Sequence, residues 1–346
     1  MPRYRSLLLG CGPRATEHVD VYRDIDNMEM VAVCDLLPAR RQQFMERFGI
    51  DVEYDDYETA LAQEQPDIVH ICTSPGNRVW EAECAAKAGV KVALFEKPVA
   101  IRPADMIGLR DVLSRTDMKV AVNCQRRYFP QFRDGTITRI MKEELGEVYF
   151  IRASTKGNTM GMGPHTMSLL KLFLEEADPV AVWAMAHTIN EESYQVSHKA
   201  PESIMAQYWF PGDVRVVFDC DPLALGTPGE TSFWMHLHFD VLGTKGRLFL
   251  TQNGGYWYQS HGMAEPVYGE SSWDKQGWEG QRDMTRALAD WIEGGPEHLN
   301  SFAYEGKVVD ALLAAQKSVY EGTRVELPAQ FTDAQWEELR ERLRGT

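Results

Sequence analysis

Residues 7–15 read Leu-Leu-Leu-Gly-Cys-Gly-Pro-Arg-Ala, an apolar run that ends in Gly10, Gly12 and Ala15. Glycines at this spacing, after a strand and before a helix, form a turn that can hold a pyrophosphate. Gly10 permits the tight turn, Gly12 lets the backbone approach the phosphates, and Ala15 lets the helix pack close on the strand. Pro13 suits a first helical position, where its missing N–H would be unpaired in any case, and Arg14 follows it. A second run, Met30-Val-Ala-Val-Cys-Asp35, ends in an acid 25 residues after Gly10. A carboxylate there accepts from the ribose hydroxyls of an adenosine and repels a 2′-phosphate. Together these features predict NAD rather than NADP as the ligand. Arg40 and Arg41 lie in a helical stretch from Pro38 to Phe48 and read as solvated surface residues.

These residues need a scaffold, and the first third of the chain supplies one. Strands are predicted near 4–10, 29–35, 67–72, 90–95 and 119–124. Helices are predicted near 13–24, 38–48, 57–63, 77–88 and 103–115. Short Val/Ile/Leu runs bounded by Gly, Pro and Asp read as a parallel sheet covered on both faces. Ligands of such sheets sit at the carboxyl ends of the strands. Those ends carry Gly10, Asp35, Thr73-Ser74-Pro75 with Asn77 beyond, Glu96-Lys97-Pro98 and Asn123. All are expected to line the dinucleotide.

After about residue 125 the rhythm changes. A helix at 130–144, a strand at 148–154 and a helix near 164–175 precede strand-like runs at 180–188, 203–210, 214–220, 233–242 and 247–251. Phe210-Pro-Gly-Asp-Val214 and Leu242-Gly-Thr-Lys-Gly-Arg247 read as hairpin turns. Helices near 279–293 and 303–320 follow. The expected fold class is α/β. An N-terminal Rossmann dinucleotide-binding domain (1–125) precedes a C-terminal α+β domain (126–346) with a large, mostly antiparallel open sheet.

Composition narrows the classes. A length of 346 residues favours two domains. A net charge of −15 argues against nucleic acid or an anionic membrane as partner. No apolar run reaches the roughly 18 residues of a membrane span. The start, Met-Pro-Arg-Tyr-Arg, does not read as a signal peptide. Cys11, Cys34, Cys72, Cys84, Cys124 and Cys220 form no Cys-x-x-Cys pair and suit a reducing cytoplasm. His236 and His238 alternate along a strand, but no third ligand has metal-site spacing, so no metal is expected.

The chain resembles the glucose–fructose oxidoreductase/inositol dehydrogenase family of NAD(P)-dependent oxidoreductases. The likeness rests on Gly10-x-Gly12-x-x-Ala15, Glu96-Lys97-Pro98, Arg126-Arg127-Tyr128-Phe129-Pro130, Gly163-Pro164-His165 and Leu242-Gly-Thr-Lys-Gly-Arg247. It implies a carbohydrate substrate, oxidation of a secondary hydroxyl of a sugar, sugar derivative or cyclitol, and pairing through the open sheet into homodimers or homotetramers. It also implies a cis Lys97–Pro98 peptide.

In that chemistry the cofactor accepts hydride and the protein manages the hydroxyl proton. An ammonium at Lys97 can hydrogen-bond the reacting oxygen, and partial desolvation would lower its pKa. His165 opens a helix, where the dipole disfavours imidazolium and keeps the ring able to accept a proton. Family members commonly read Asp-x-Gly-x-His-x-x-Asp here, whereas this chain has Gly161 and Ser168 at the acid positions. Lys97 and His165 can suffice, or Lys156, Asn158 or Tyr128 can fill the gap beside the substrate. A third option is different chemistry. Some relatives are glycosidases that oxidise a sugar transiently with no net redox. A catalytically silent dinucleotide-binding regulator is the remaining alternative. Gly161 leaves room for a substituted or anionic sugar, with Lys156 as its partner. The tryptophans at 183, 209, 234, 257, 273 and 278 mostly pack the sheet or a subunit interface in this reading.

Overall fold

The computed structural model describes residues 4–188 and 199–344. The reading of Met1–Arg3 lies outside them. The chain forms two compact units. The first comprises 1–100, 104–128 and 278–305; the second comprises 101–103, 129–277 and 306–346.

In the first unit, β1 (Tyr4–Leu9) feeds α1 (Ala15–Asp20). There follow β2 (Met28–Cys34), α2 (Pro38–Phe48), β3 (Glu53–Tyr54), α3 (Tyr57–Glu64), β4 (Ile68–Ile71), α4 (Arg78–Lys87), β5 (Val92–Phe95), α5 (Pro103–Ser114) and β6 (Lys119–Val122). The sheet is wholly parallel in the order β3-β2-β1-β4-β5-β6. The strand order reverses between β1 and β4, where open α/β sheets bind their ligands. β3 is only two residues long and its Glu53 is exposed, so it lacks the apolar run by which the longer strands are recognised.

The sequence places one boundary at 125/126. The first unit instead also holds 126–128 and 278–305, and apolar packing explains why. Met284, Leu288 and Ala289 are fully buried in one cluster with Ile25, Ile68, Val92 and Leu94. Ser301 adds an antiparallel bridge to Ala121.

The second unit begins with α6 (Pro130–Arg133), α7 (Thr136–Ile140), β7 (Val148–Thr155) and α8 (Gly163–Phe173). The strands β8 (Ala181–His187), β9 (Ser203–Phe210), β10 (Val214–Cys220), β11 (Leu237–Gly243), β12 (Gly246–Thr251), β13 (Gly255–Ser260) and β14 (Val267–Gly269) follow. After them come α9 (Trp273–Ile292), whose residues from Trp278 on belong to the first unit, then α10 (Phe302–Glu321), β15 (Val325–Glu326) and α11 (Asp333–Leu343). The sheet order is β14-β13-β12-β11-β7-β10-β9-β8-β15. Only β7 and β10 pair in parallel. Both expected hairpins form, with Val214 opposite Phe210 and Leu242 opposite Arg247.

Strand alternation gives this sheet two different faces. Ile151 and Ala153 of β7, Val216 and Phe218 of β10, and Phe239 and Val241 of β11 are all buried. They share one face under α8 and α10: Phe173 meets Phe239 edge-on at 4.8 Å, and Tyr208 Oη donates to Ala311 O at 3.0 Å. On the other face Trp183, Met185, Met205 and Tyr268 are exposed.

Candidate active site

The first unit gathers most of the expected residues at the carboxyl edge of its sheet. Gly10 has φ +91°, and a Cβ there would lie 3.0 Å from Cys72 C and Thr73 N. Only glycine meets both demands. A Cβ on Gly12 would meet nothing within 4 Å, so its missing side chain leaves open space above the turn. Pro13 is exposed and Ala15 is fully buried. Asp35 closes this turn. Its Oδ2 accepts from Cys11 N and its Oδ1 from Leu37 N, each at 2.8 Å. Arg40 Nη1 stands 4.0 Å from the same carboxylate. Arg41 is not a solvated residue as the sequence suggested. It is buried, donating to Glu53 at 2.9 Å and to Asp35 O at 2.7 Å.

At the end of β4, Thr73 Oγ1 donates to Glu81 at 2.5 Å and accepts from Arg78 at 2.7 Å. Ser74 and Asn77 are exposed and Pro75 is buried. Arg78 and Glu81 pair at 3.0 Å while almost fully buried. The Arg78 guanidinium also holds Thr73 O at 2.7 Å and Glu96 O at 3.2 Å. This pair therefore fixes the ends of β4 and β5 together.

Glu96 and Lys97 follow β5, and the Lys97–Pro98 peptide is cis. Glu96 Oε2 accepts from Asn123 Nδ2 at 2.6 Å and lies 3.1 Å from His18 Nε2 and 3.4 Å from Arg14 Nε. Burial opposes its charge, but Arg14, His18 and Lys97 outweigh it and hold the carboxyl far below the usual range. Lys97 is half-buried. Desolvation lowers its ammonium, Glu96 resists, and Arg14 and Arg126 add to the lowering, to about 8. Behind Glu96 runs a buried chain: His18 Nδ1 to His70 Nδ1 at 3.0 Å, and His70 Nε2 to Tyr22 Oη at 2.7 Å. Sequence reasoning missed His18, His70, Arg78 and Glu81, and it named Arg126 only within a motif. Only the Cys72–Arg78 loop, already marked by Thr73, could have drawn notice to Arg78.

In the second unit His165 is 4% exposed in the first turn of α8. The loop before it is built on Asn158. Its Oδ1 accepts from Met160 N at 3.0 Å and Gly161 N at 3.1 Å, and its Nδ2 donates to Ala200 O at 3.0 Å. Asn158 is thus engaged in holding the turn, and Gly161 is buried within it. Tyr128 belongs to the first unit's core, where its Oη accepts from Leu299 N at 3.1 Å and its ring packs on His298. Lys156 is half-buried at the end of β7. His236 Nδ1 accepts from Thr227 N at 2.7 Å. Among the described residues no group of three His, Cys, Asp or Glu is arranged to hold a metal ion. None of the described helices is long and apolar enough to cross a membrane.

Comparison with known proteins agrees with this geometry. Residues 4–124 match the model of a family described as oxidoreductases with an NAD-binding Rossmann fold. D-Apiose dehydrogenase of Paraburkholderia graminis is 34% identical over 142 residues, which are 39% of this chain and 38% of the relative. D-Glucoside 3-dehydrogenase of Escherichia coli is 27% identical over 153 residues, 43% of this chain and 42% of the relative. These matches therefore span about two fifths of the curated relatives. The fold extends further. A crystal structure of an oxidoreductase from Agrobacterium radiobacter, in complex with NAD+, L-tartaric acid and magnesium, superposes with TM-score 0.80 at 19% identity. It covers 94% of this chain and 98% of that one. Residues 4–124 are thus similar to the NAD-binding Rossmann domain of this oxidoreductase family, and nearly the whole chain shares the fold of the Agrobacterium radiobacter oxidoreductase.

Proposed function

We propose that this protein is an NAD-dependent oxidoreductase that oxidises and reduces a secondary hydroxyl of a sugar, sugar derivative or cyclitol. The observation that carries the reading is the Glu96–Lys97 pair, with its lowered ammonium, on the same sheet edge as the Gly10 turn and Asp35. The dehydrogenase names of the relatives support it. The residues fit a dinucleotide: Gly12 leaves the turn open where a Cβ would point, and Asp35 reaches the turn with lone pairs to spare for ribose hydroxyls. Gly10, Gly12, Pro13, Arg14 and Ala15 would hold the phosphates. Thr73, Ser74, Pro75, Asn77, Glu96 and Asn123 would line the crevice. Bound NAD supplies the hydride acceptor.

The chain's own residues then have two tasks. The Lys97 ammonium donates to the reacting oxygen and favours its anionic form. His165, in the first turn of α8, accepts the proton on oxidation and returns it on reduction. Glu96 fixes Lys97 electrostatically, and Asn123, His18 and Arg14 fix Glu96. Lys156 and Gly161 face the substrate. Six free cysteines suit a reducing cytoplasm. The exposed Trp183, Met185 and Met205 support assembly through the open sheet face into dimers or tetramers.

The test is a pair of variants. Lys97→Ala and His165→Ala should each lower sugar-dependent NADH formation by about 10²-fold or more while NAD binding persists. Wild-type rates in both variants would remove these residues from the chemistry.

A further inference from the structure

Two side chains of the second unit converge on Gly226. A Cβ there would lie 3.1 Å from Lys156 Nζ and 3.2 Å from both His236 Nδ1 and Cε1. Lys156 N–H donates to His236 O at 3.1 Å, so the strand ends hold the pair together. Among the described residues no carboxylate forms an ion pair with the Lys156 ammonium.

The tautomer of His236 follows from its neighbour. Thr227 N–H donates to Nδ1, which therefore carries no proton, and the neutral ring presents Nε2–H. Burial first and the Lys156 charge second hold this imidazole below its usual pKa. His238, on the same strand, is 6% exposed. Its Nε2 meets Thr227 Oγ1 at 3.3 Å, and its Nδ1 is buried with no hydrogen-bond partner among the described residues.

The acids nearby are occupied. Glu230 faces His236, but its oxygens accept from Ser232 N at 2.8 Å and Asn253 Nδ2 at 2.7 Å. Asp221 accepts from Ser203 and from Leu223 N, and Asp219 from Ser154. One ammonium, two neutral imidazoles and Glu230 within range suit a monoanion better than a phosphate dianion.

The position suits a substrate group. The loop 157–163 is pinned at its base: Cys220 Sγ donates to Gly157 O at 3.2 Å and accepts the Gly163 N–H. Lys156 directly precedes this loop, and His165 lies two residues beyond it in the first turn of α8.

We infer that Lys156 and the Nε2–H of His236 form a subsite for the carboxylate of a sugar-acid substrate, an inference that rests on the redox reading above.

The test uses the NAD-loaded protein with D-glucuronate and D-galacturonate, against D-glucose and D-galactose. Wild type should favour the better uronate over its neutral sugar by about tenfold or more in kcat/KM. Lys156→Met should collapse that ratio toward one, and Lys156→Arg, which keeps the charge, should retain most of it. Calorimetry should show uronate binding weakened about tenfold in Lys156→Met. If uronate binds in this Lys156-dependent way but no sugar yields NADH, the subsite stands and the redox reading falls. If neutral sugars are oxidised as well as uronates, with a ratio unmoved by Lys156→Met, the subsite falls and the redox reading stands. Failure of both uronates to bind also overturns the subsite.

Discussion

Lys97 titrates near 8 because burial lowers its ammonium more than Glu96 restores it, and this gives turnover a pH signature. In the proposed reaction the protonated form is the one that donates to the reacting oxygen. Raising the pH through about 8 removes that proton, so kcat/KM should fall on the alkaline side. Lys97→Arg stays charged and should lose this limb, whatever its absolute rate. A pH–rate profile in which Lys97→Arg keeps the wild-type limb would assign it to another group. Asp35 carries a second prediction at this scale. Its carboxylate should favour NADH over NADPH by about tenfold or more, and comparable affinities by calorimetry would contradict it. The places of Gly10, Asp35 and Lys97 at strand ends were legible in the sequence because they follow from a strand and the few residues after it. His18, His70, Arg78 and Glu81 were not. His18 meets Glu96 across 78 positions and His70 across 52, distances that only the strand order closes.

Elements translate these residues into positions, and two of them offer stability tests. Gly10 couples a positive φ to close contact with the start of the Thr73 loop. Gly10→Ala should therefore cost about 1–3 kcal/mol and weaken NAD binding together with stability. Urea denaturation and a calorimetric titration check both, and an Ala variant as stable as wild type would refute the constraint. The Arg78–Glu81 pair in the first turn of α4 is almost fully buried. Arg78→Met strands Glu81 and should destabilise the first unit by about 3–5 kcal/mol, read from the same denaturation curves. A loss under about 1 kcal/mol would mean that Glu81 finds other partners. Most strands and hairpins were legible, because alternating or continuous apolar runs between Gly and Pro leave few alternatives. Asn158 by its type suits a ligand as well as a turn. Its amide is spent on Met160, Gly161 and Ala200.

The whole molecule departs most from the linear reading in its interleaved units. The apolar pattern of 279–293 announces a helix but not which core it fills. Met284 and Leu288 complete the first unit's core. A fragment ending at residue 125 should therefore fail to fold, by circular dichroism and amide dispersion, and a cooperative, NAD-binding 1–125 would contradict the division. Absorbance at 340 nm follows the proposed net hydride transfer from a sugar to NAD directly. Wild-type protein with NAD+ and a panel of sugars, sugar acids, cyclitols and aryl glycosides should show sustained NADH formation with at least one of them. The rate should fall by about 10²-fold in Lys97→Ala. Aglycone release from an aryl glycoside without NADH accumulation, or bound NAD with no turnover of any kind, would contradict it.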